Sequence, residues 1–153
     1  MYKYFILFAA FLSLTVLQSF QDVEQGQCDS KMLKEDSKKV LDIYKYDSSK
    51  LTKIGYKTKE SVKEIEVPLF LGEKYRFIFN TTSIVKPVII NVFNKDKESR
   101  NRKLLWSSKD DPASLKEHIF EHTHSMKVFV DYTIPPADSS ASPGCILFML
   151  GYK

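Results

Sequence analysis

Along most of this chain apolar residues recur at every second position, the period of β-strands that bury one face. Ile65 and Val67 alternate with Glu64, Glu66 and Pro68, and Leu69 continues the apolar series. Pro68 has no N–H to give a ladder, which places this strand at a sheet edge. Tyr75, Phe77 and Phe79 alternate with Lys74, Arg76 and Ile78. The stretch PVIINVFNK (87–95) is β-branched and apolar, as a central strand requires. With LTKIGYK (51–57), RKLLWSS (102–108), LKEHIFE (115–121), MKVFVDYTI (126–134) and GCILFMLGY (144–152), the pattern predicts about eight short strands. Turn-forming residues separate them, at 71–73, 94–97, 109–112 and 135–140. The expected fold is mainly β: a two-sheet antiparallel β-sandwich of jelly-roll or Greek-key type. Its core is predicted from Ile65, Val67, Leu69, Tyr75, Phe77, Phe79, Val88, Ile90, Val92, Val128, Val130, Ile146 and Phe148.

Two segments depart from the strand period. Phe5 to Leu17 is apolar except for Ser13 and Thr15, and follows the basic start Tyr2-Lys3-Tyr4. It is shorter than the roughly 20 residues that span a bilayer, and its charge order is that of a secretory signal peptide. Residues 1–19 are assigned to that signal, with cleavage between Ser19 and Gln27. The second departure is DSKMLKEDSKKVLDIY (29–44), read as one short helix. Asp29 or Ser30 can cap it, and Leu33, Val40 and Tyr44 form a partial apolar stripe opposite the lysines. Residues 20–50 thus form an N-terminal segment with a helix, packed on a sandwich of residues 51–153 in a single domain.

Charge and cysteine content narrow the classes. The formal net charge is +4, or +3 once Lys3 leaves with the signal, and both signs are mixed along the chain. That is a solvated surface and not a polyanion-binding one, so nucleic acid is not an expected partner. The two cysteines, Cys28 and Cys145, are a disulfide candidate in an oxidising compartment, against two unpaired thiols.

Little else looks like chemistry. All three histidines, His118, His122 and His124, fall in EHIFEHTH. As a helix the segment matches H-x-x-E-H, which needs two imidazoles one turn apart around a catalytic glutamate. The apolar Ile119 and Phe120, and the strand that follows, oppose that reading. As a strand, the histidines share one face and two of them could hold Zn²⁺ with a further ligand; the competing reading is an exposed hairpin end. Trp106, beside Arg100 and Arg102, could stack on a sugar whose hydroxyls or carboxylates the basic residues bind; buried, it is core. Asp110 and Asp111 precede Pro112 and mark a turn better than a calcium loop. Asn80-Thr81-Thr82 fits the glycosylation pattern but also a strand-end turn. No nucleophile elbow or phosphate loop is present.

The stretches EIEVPLFLGEKYRFIFN (64–80) and VFVDYTIPPADSSASPGCILFMLGYK (128–153) resemble an uncharacterised family of small secreted β-sandwich proteins from Gram-negative bacteria. The resemblance implies export and a sandwich fold; it carries no catalytic motif and transfers no functional residue. The layout is also similar to the sandwich modules appended to secreted peptidases and glycosidases. The expectation is a secreted or periplasmic, non-catalytic module binding a protein or carbohydrate at the cell envelope. The alternative is a small zinc enzyme built on the three histidines.

Overall fold

A computed structural model of the chain describes residues 28–112, 115–138 and 140–153. The predicted signal segment and its cleavage region lie outside the described residues. Among the described residues an α-helix, α1 (Ser30–Lys39), precedes eight strands: β1 (Lys45–Ile54), β2 (Ser61–Pro68), β3 (Tyr75–Asn80), β4 (Ile89–Phe93), β5 (Leu104–Ser107), β6 (Glu117–His122), β7 (Lys127–Ile134) and β8 (Gly144–Tyr152). They form two four-stranded sheets, ordered β1-β8-β3-β6 and β2-β7-β4-β5.

Pairing is antiparallel throughout, and its nesting fixes the topology. The first strand pairs with the last, the second with the seventh, the third with the sixth and the fourth with the fifth. A long hairpin rolled until β3 meets β8 and β4 meets β7 gives this order, which is the jelly roll. Because successive strands reverse, the β2–β3, β4–β5 and β6–β7 connections gather at one end. The β1–β2, β3–β4, β5–β6 and β7–β8 connections gather at the other.

All thirteen residues assigned to the core from alternation lie in the main buried cluster between the sheets. Phe77, Phe79 and Phe148 pack ring to ring within it, and Ile54, Ile84, Tyr132, Ile134 and Leu150 complete it. At its β5–β6 side Trp106 stacks on Phe79 and Phe120, so the largest ring closes the gap between two edge strands. Pro68 does end the edge strand β2, as its missing N–H requires.

The helix is shorter than its pattern suggested. Asp29 caps it by accepting from Lys31 and Met32 N–H, but it ends at Lys39 and not Tyr44. Asp42 adopts a left-handed φ of 57°, and the turn returns Leu41 and Tyr44 onto the sheet. The turn lies so close to β8 that a Cβ on Gly151 would collide with Leu41 and Tyr44. Strand β1 then starts at Lys45 instead of Leu51, taking in Tyr46-Asp47-Ser48-Ser49 with a register shift between Tyr46 and Ser48. An edge strand tolerates such polar residues because one side of its ladder faces water.

Beneath α1 lies a second, smaller core. Leu33, Leu41 and Tyr44 cover Ile78, Cys145, Leu147 and Met149 on the outer face of the β1-β8-β3-β6 sheet. Strand β8 is therefore buried on both faces, and its continuous apolar sequence follows from that.

Candidate functional site

The three histidines do not converge. Strand β6 alternates, so the helical H-x-x-E-H geometry does not form. His118, Phe120 and His122 pair with Phe79, Phe77 and Tyr75, all on the inward face of that edge. His122 lies four positions after His118, a run of about 13 Å along a strand, and Phe120 fills the space between. His122 stacks on Phe120 and bonds Ser125 Oγ at 2.6 Å, and burial pushes its imidazole below the usual value. His124 sits in the β6–β7 turn at φ 67°, where strand alternation has ended. Glu121 faces outward to Lys74 and Arg76. Among the described residues no three His, Cys, Asp or Glu side chains are grouped to hold a metal ion.

Trp106, Arg100 and Arg102 are not brought together either. Trp106 turns inward to Phe79, Phe120 and the edge of His118. Arg102 lies on the outer face of the other sheet. There it grips both oxygens of Asp131 at 2.7 and 2.9 Å, reaches Glu64 at 2.8 Å, and covers the Phe93 ring at 3.7 Å. Arg100 is exposed in the β4–β5 connection. Asn80 is buried, its amide donating to Glu117 and Ser37, so the sequon side chain is committed to the fold.

Cys28 and Cys145 are at disulfide distance, their Cα atoms 5.7 Å apart across a sequence separation of 117. A bridge there fastens the start of α1 to the start of β8. No helix among the described residues is long and apolar enough to cross a membrane.

Two features emerge that the sequence pattern did not mark. One is an apolar end. The β2–β3 connection presents Phe70 and Leu71, 76% and 64% exposed, and the β6–β7 turn presents Met126, 69% exposed. Both connections are held. Leu69 N–H donates to Met126 C=O at 2.8 Å, Phe70 N–H donates to Tyr75 Oη at 2.9 Å, and Gly72 takes the left-handed φ of 96° that the turn needs. The sequence hint was the strand-ending Pro68, after which Phe70 and Leu71 have no sheet face to enter.

The other feature is at the opposite end, where His118 Nδ1 lies 2.7 Å from Asp111 Oδ2 beside a small cavity. Asp111 was legible only as a turn residue, because its partner lies across the β5–β6 connection and no local spacing joins them. No family model, curated protein or solved structure matches this chain.

Proposed function

We propose that the protein is a secreted or periplasmic, non-catalytic binding module that engages a protein partner at the cell envelope. The observation that carries this reading is the exposure of Phe70, Leu71 and Met126 together at one end of the jelly roll. Large apolar side chains grouped in water mark interaction surfaces, and loops on a rigid scaffold are where such surfaces are built. Here hydrogen bonds to Tyr75 and Met126 hold the loops, so less ordering entropy is lost on docking. The β4–β5 connection at the same end adds a charged rim with Lys95, Lys97, Glu98 and Arg100. A protein suits this surface better than a glycan, since Trp106, the ring best suited to stack on a sugar, is turned into the core. An extracytoplasmic setting agrees with the Cys28–Cys145 pair, which persists as a bridge where thiols are not kept reduced.

The test is in-cell photo-crosslinking from position 71 in the native host, followed by fractionation. One discrete adduct in the envelope fraction is expected, and Phe70→Ser with Met126→Ser should abolish it without lowering the melting temperature. A protein confined to the cytoplasm, or an adduct insensitive to those substitutions, defeats the proposal.

A further inference from the structure

At the end opposite the apolar loops, the β3–β4 connection, the turn after β5 and the start of β6 enclose a cavity of about 190 Å³. Its walls are held by hydrogen bonds between separate elements. Thr81 N–H and Oγ1 both donate to Lys116 C=O, at 2.7 and 3.0 Å. Ile90 N–H donates to Ser108 Oγ at 2.9 Å, and His118 holds Asp111. These bonds make the cavity part of the fold and not a gap between loose loops.

Its lining has two characters. Ile84, Val88, Ile89 and Pro112 supply an apolar wall. Lys109 and Lys116 supply charge, and neither makes an ion pair among the described residues. Asp111, which His118 holds, is the one carboxylate among the described lining residues, so the two lysines leave the lining with a net positive charge. His118 is only 10% exposed at its side chain, and its Nε2 makes no hydrogen bond among the described residues. Asp111 therefore fixes the ring and leaves one nitrogen as a further polar point.

We propose that this cavity binds a small organic carboxylate, its anionic end between Lys109 and Lys116 and its hydrocarbon part against Ile84, Val88 and Ile89. The volume falls below the roughly 300 Å³ at which drug-sized pockets begin, which restricts the ligand to a few carbons. An inorganic anion would leave the apolar wall unfilled, and a neutral ligand would make no use of the net positive charge of the lining. The site lies at the other end from the protein-docking surface and does not depend on it.

The experiment is titration of the protein, Cys28 and Cys145 oxidised, with isobutyrate, isobutyramide and inorganic phosphate. Binding is read by calorimetry and by the His118 ring resonances. Isobutyrate is expected to bind saturably at millimolar concentration, shifting those resonances, and at least tenfold more tightly than the other two. Lys109→Met with Lys116→Met should weaken it at least tenfold, and Lys45→Met, an exposed lysine at the start of β1 and so at the opposite end, should not change it. Ile89→Phe, which fills the cavity with both lysines kept, should also abolish binding while the melting transition stays cooperative. Absence of saturable isobutyrate binding overturns the proposal. So does equal affinity for phosphate, or binding that survives the double lysine substitution or the filled cavity; each would mean that His118 and Asp111 serve only to hold the β5–β6 connection.

Discussion

The two outer faces of the jelly roll solve the same problem with different chemistry. The face of β1-β8-β3-β6 is apolar and is covered: α1 and its exit turn lay Leu33, Leu41 and Tyr44 over Ile78, Leu147 and Met149. The face of β2-β7-β4-β5 has no helix over it among the described residues and relies on charge. Arg102 ties Asp131 to Glu64 above Phe93, and Lys127 pairs with Glu66 and reaches over Phe129. Each face has one organising arginine. Arg76 lies on the Tyr44 ring, donates to the Val40 and Leu41 carbonyls at the end of the helix, and pairs with Glu121. Arg102 performs the matching task with no helix to hold. The difference teaches that a sheet face needs an apolar lid only if its own residues are apolar; an alternating strand can close its outer side with planar charge over rings.

The largest expected contrast lies in the packing of these faces. Leu33→Ala empties a fully buried position under the helix and should cost about 3–5 kcal/mol. Val62→Ala on the uncovered face, where the side chain is 47% exposed, should stay within about 0.5 kcal/mol. Denaturant unfolding of both variants checks this, and equal losses would remove the distinction. Next comes the covalent fastening of the covered face. Cys28→Ser should cost about 2–4 kcal/mol, the usual range for a native bridge. Proteolysis and mass spectrometry of unreduced wild-type protein should find the Cys28 and Cys145 peptides joined and closed to alkylation.

The contrast was half legible in the sequence. GCILFMLGY is apolar at consecutive positions and VKEIEV alternates, which is the difference between a strand buried twice and one buried once. The core register was read correctly because a one-residue slip would have exposed every ring. The helix end was missed because Asp42 reverses the chain with neither Gly nor Pro to mark it. The start of β1 was missed because its polar residues sit at a sheet edge. The site fared worse. Alternation suggested one face for three histidines, but β6 stops at His122, and Lys109 and Asp111 come to His118 only through the folded β5–β6 connection.

A smaller effect should follow from breaking the ionic face. Asp131→Ala leaves Arg102 with Glu64 and the Lys95 carbonyl, and a vacancy where a 6% exposed carboxylate stood. The guanidinium retains some solvent contact, so the expected loss is about 1–2 kcal/mol. Asp131→Asn, which preserves shape and one acceptor, should lose less. A cost as large as that of Leu33→Ala would mean that the ion network is as indispensable as the helix.

The smallest effects have opposite signs on the two faces. On the covered face, Lys74 and then Arg76 hold the Glu121 carboxyl down to about 2. A depressed carboxylate stabilises the fold fully above its unfolded value, about 4.3, and that contribution is lost as pH falls from there through about 2. Glu121 is 31% exposed at its side chain, so solvent screening limits the contribution to about 1 kcal/mol. On the open face, burial first, and the nearby Asp131 with it, pushes the Glu64 carboxyl above its ordinary value in spite of Arg102. There the folded chain binds the proton more readily than the unfolded one, so this group favours folding more as pH falls through its raised value. Glu121→Gln should therefore destabilise at neutral pH by about 1 kcal/mol and flatten the acid limb of the stability curve. Glu64→Gln still accepts from Arg102 and Lys97 N–H, and should change neutral stability by no more than about 0.5 kcal/mol, toward greater stability. Chemical denaturation of both variants between pH 3 and pH 7 reads the two slopes. If both substitutions destabilise alike, Glu64 contributes to stability as Glu121 does, and the two faces handle charge in the same way.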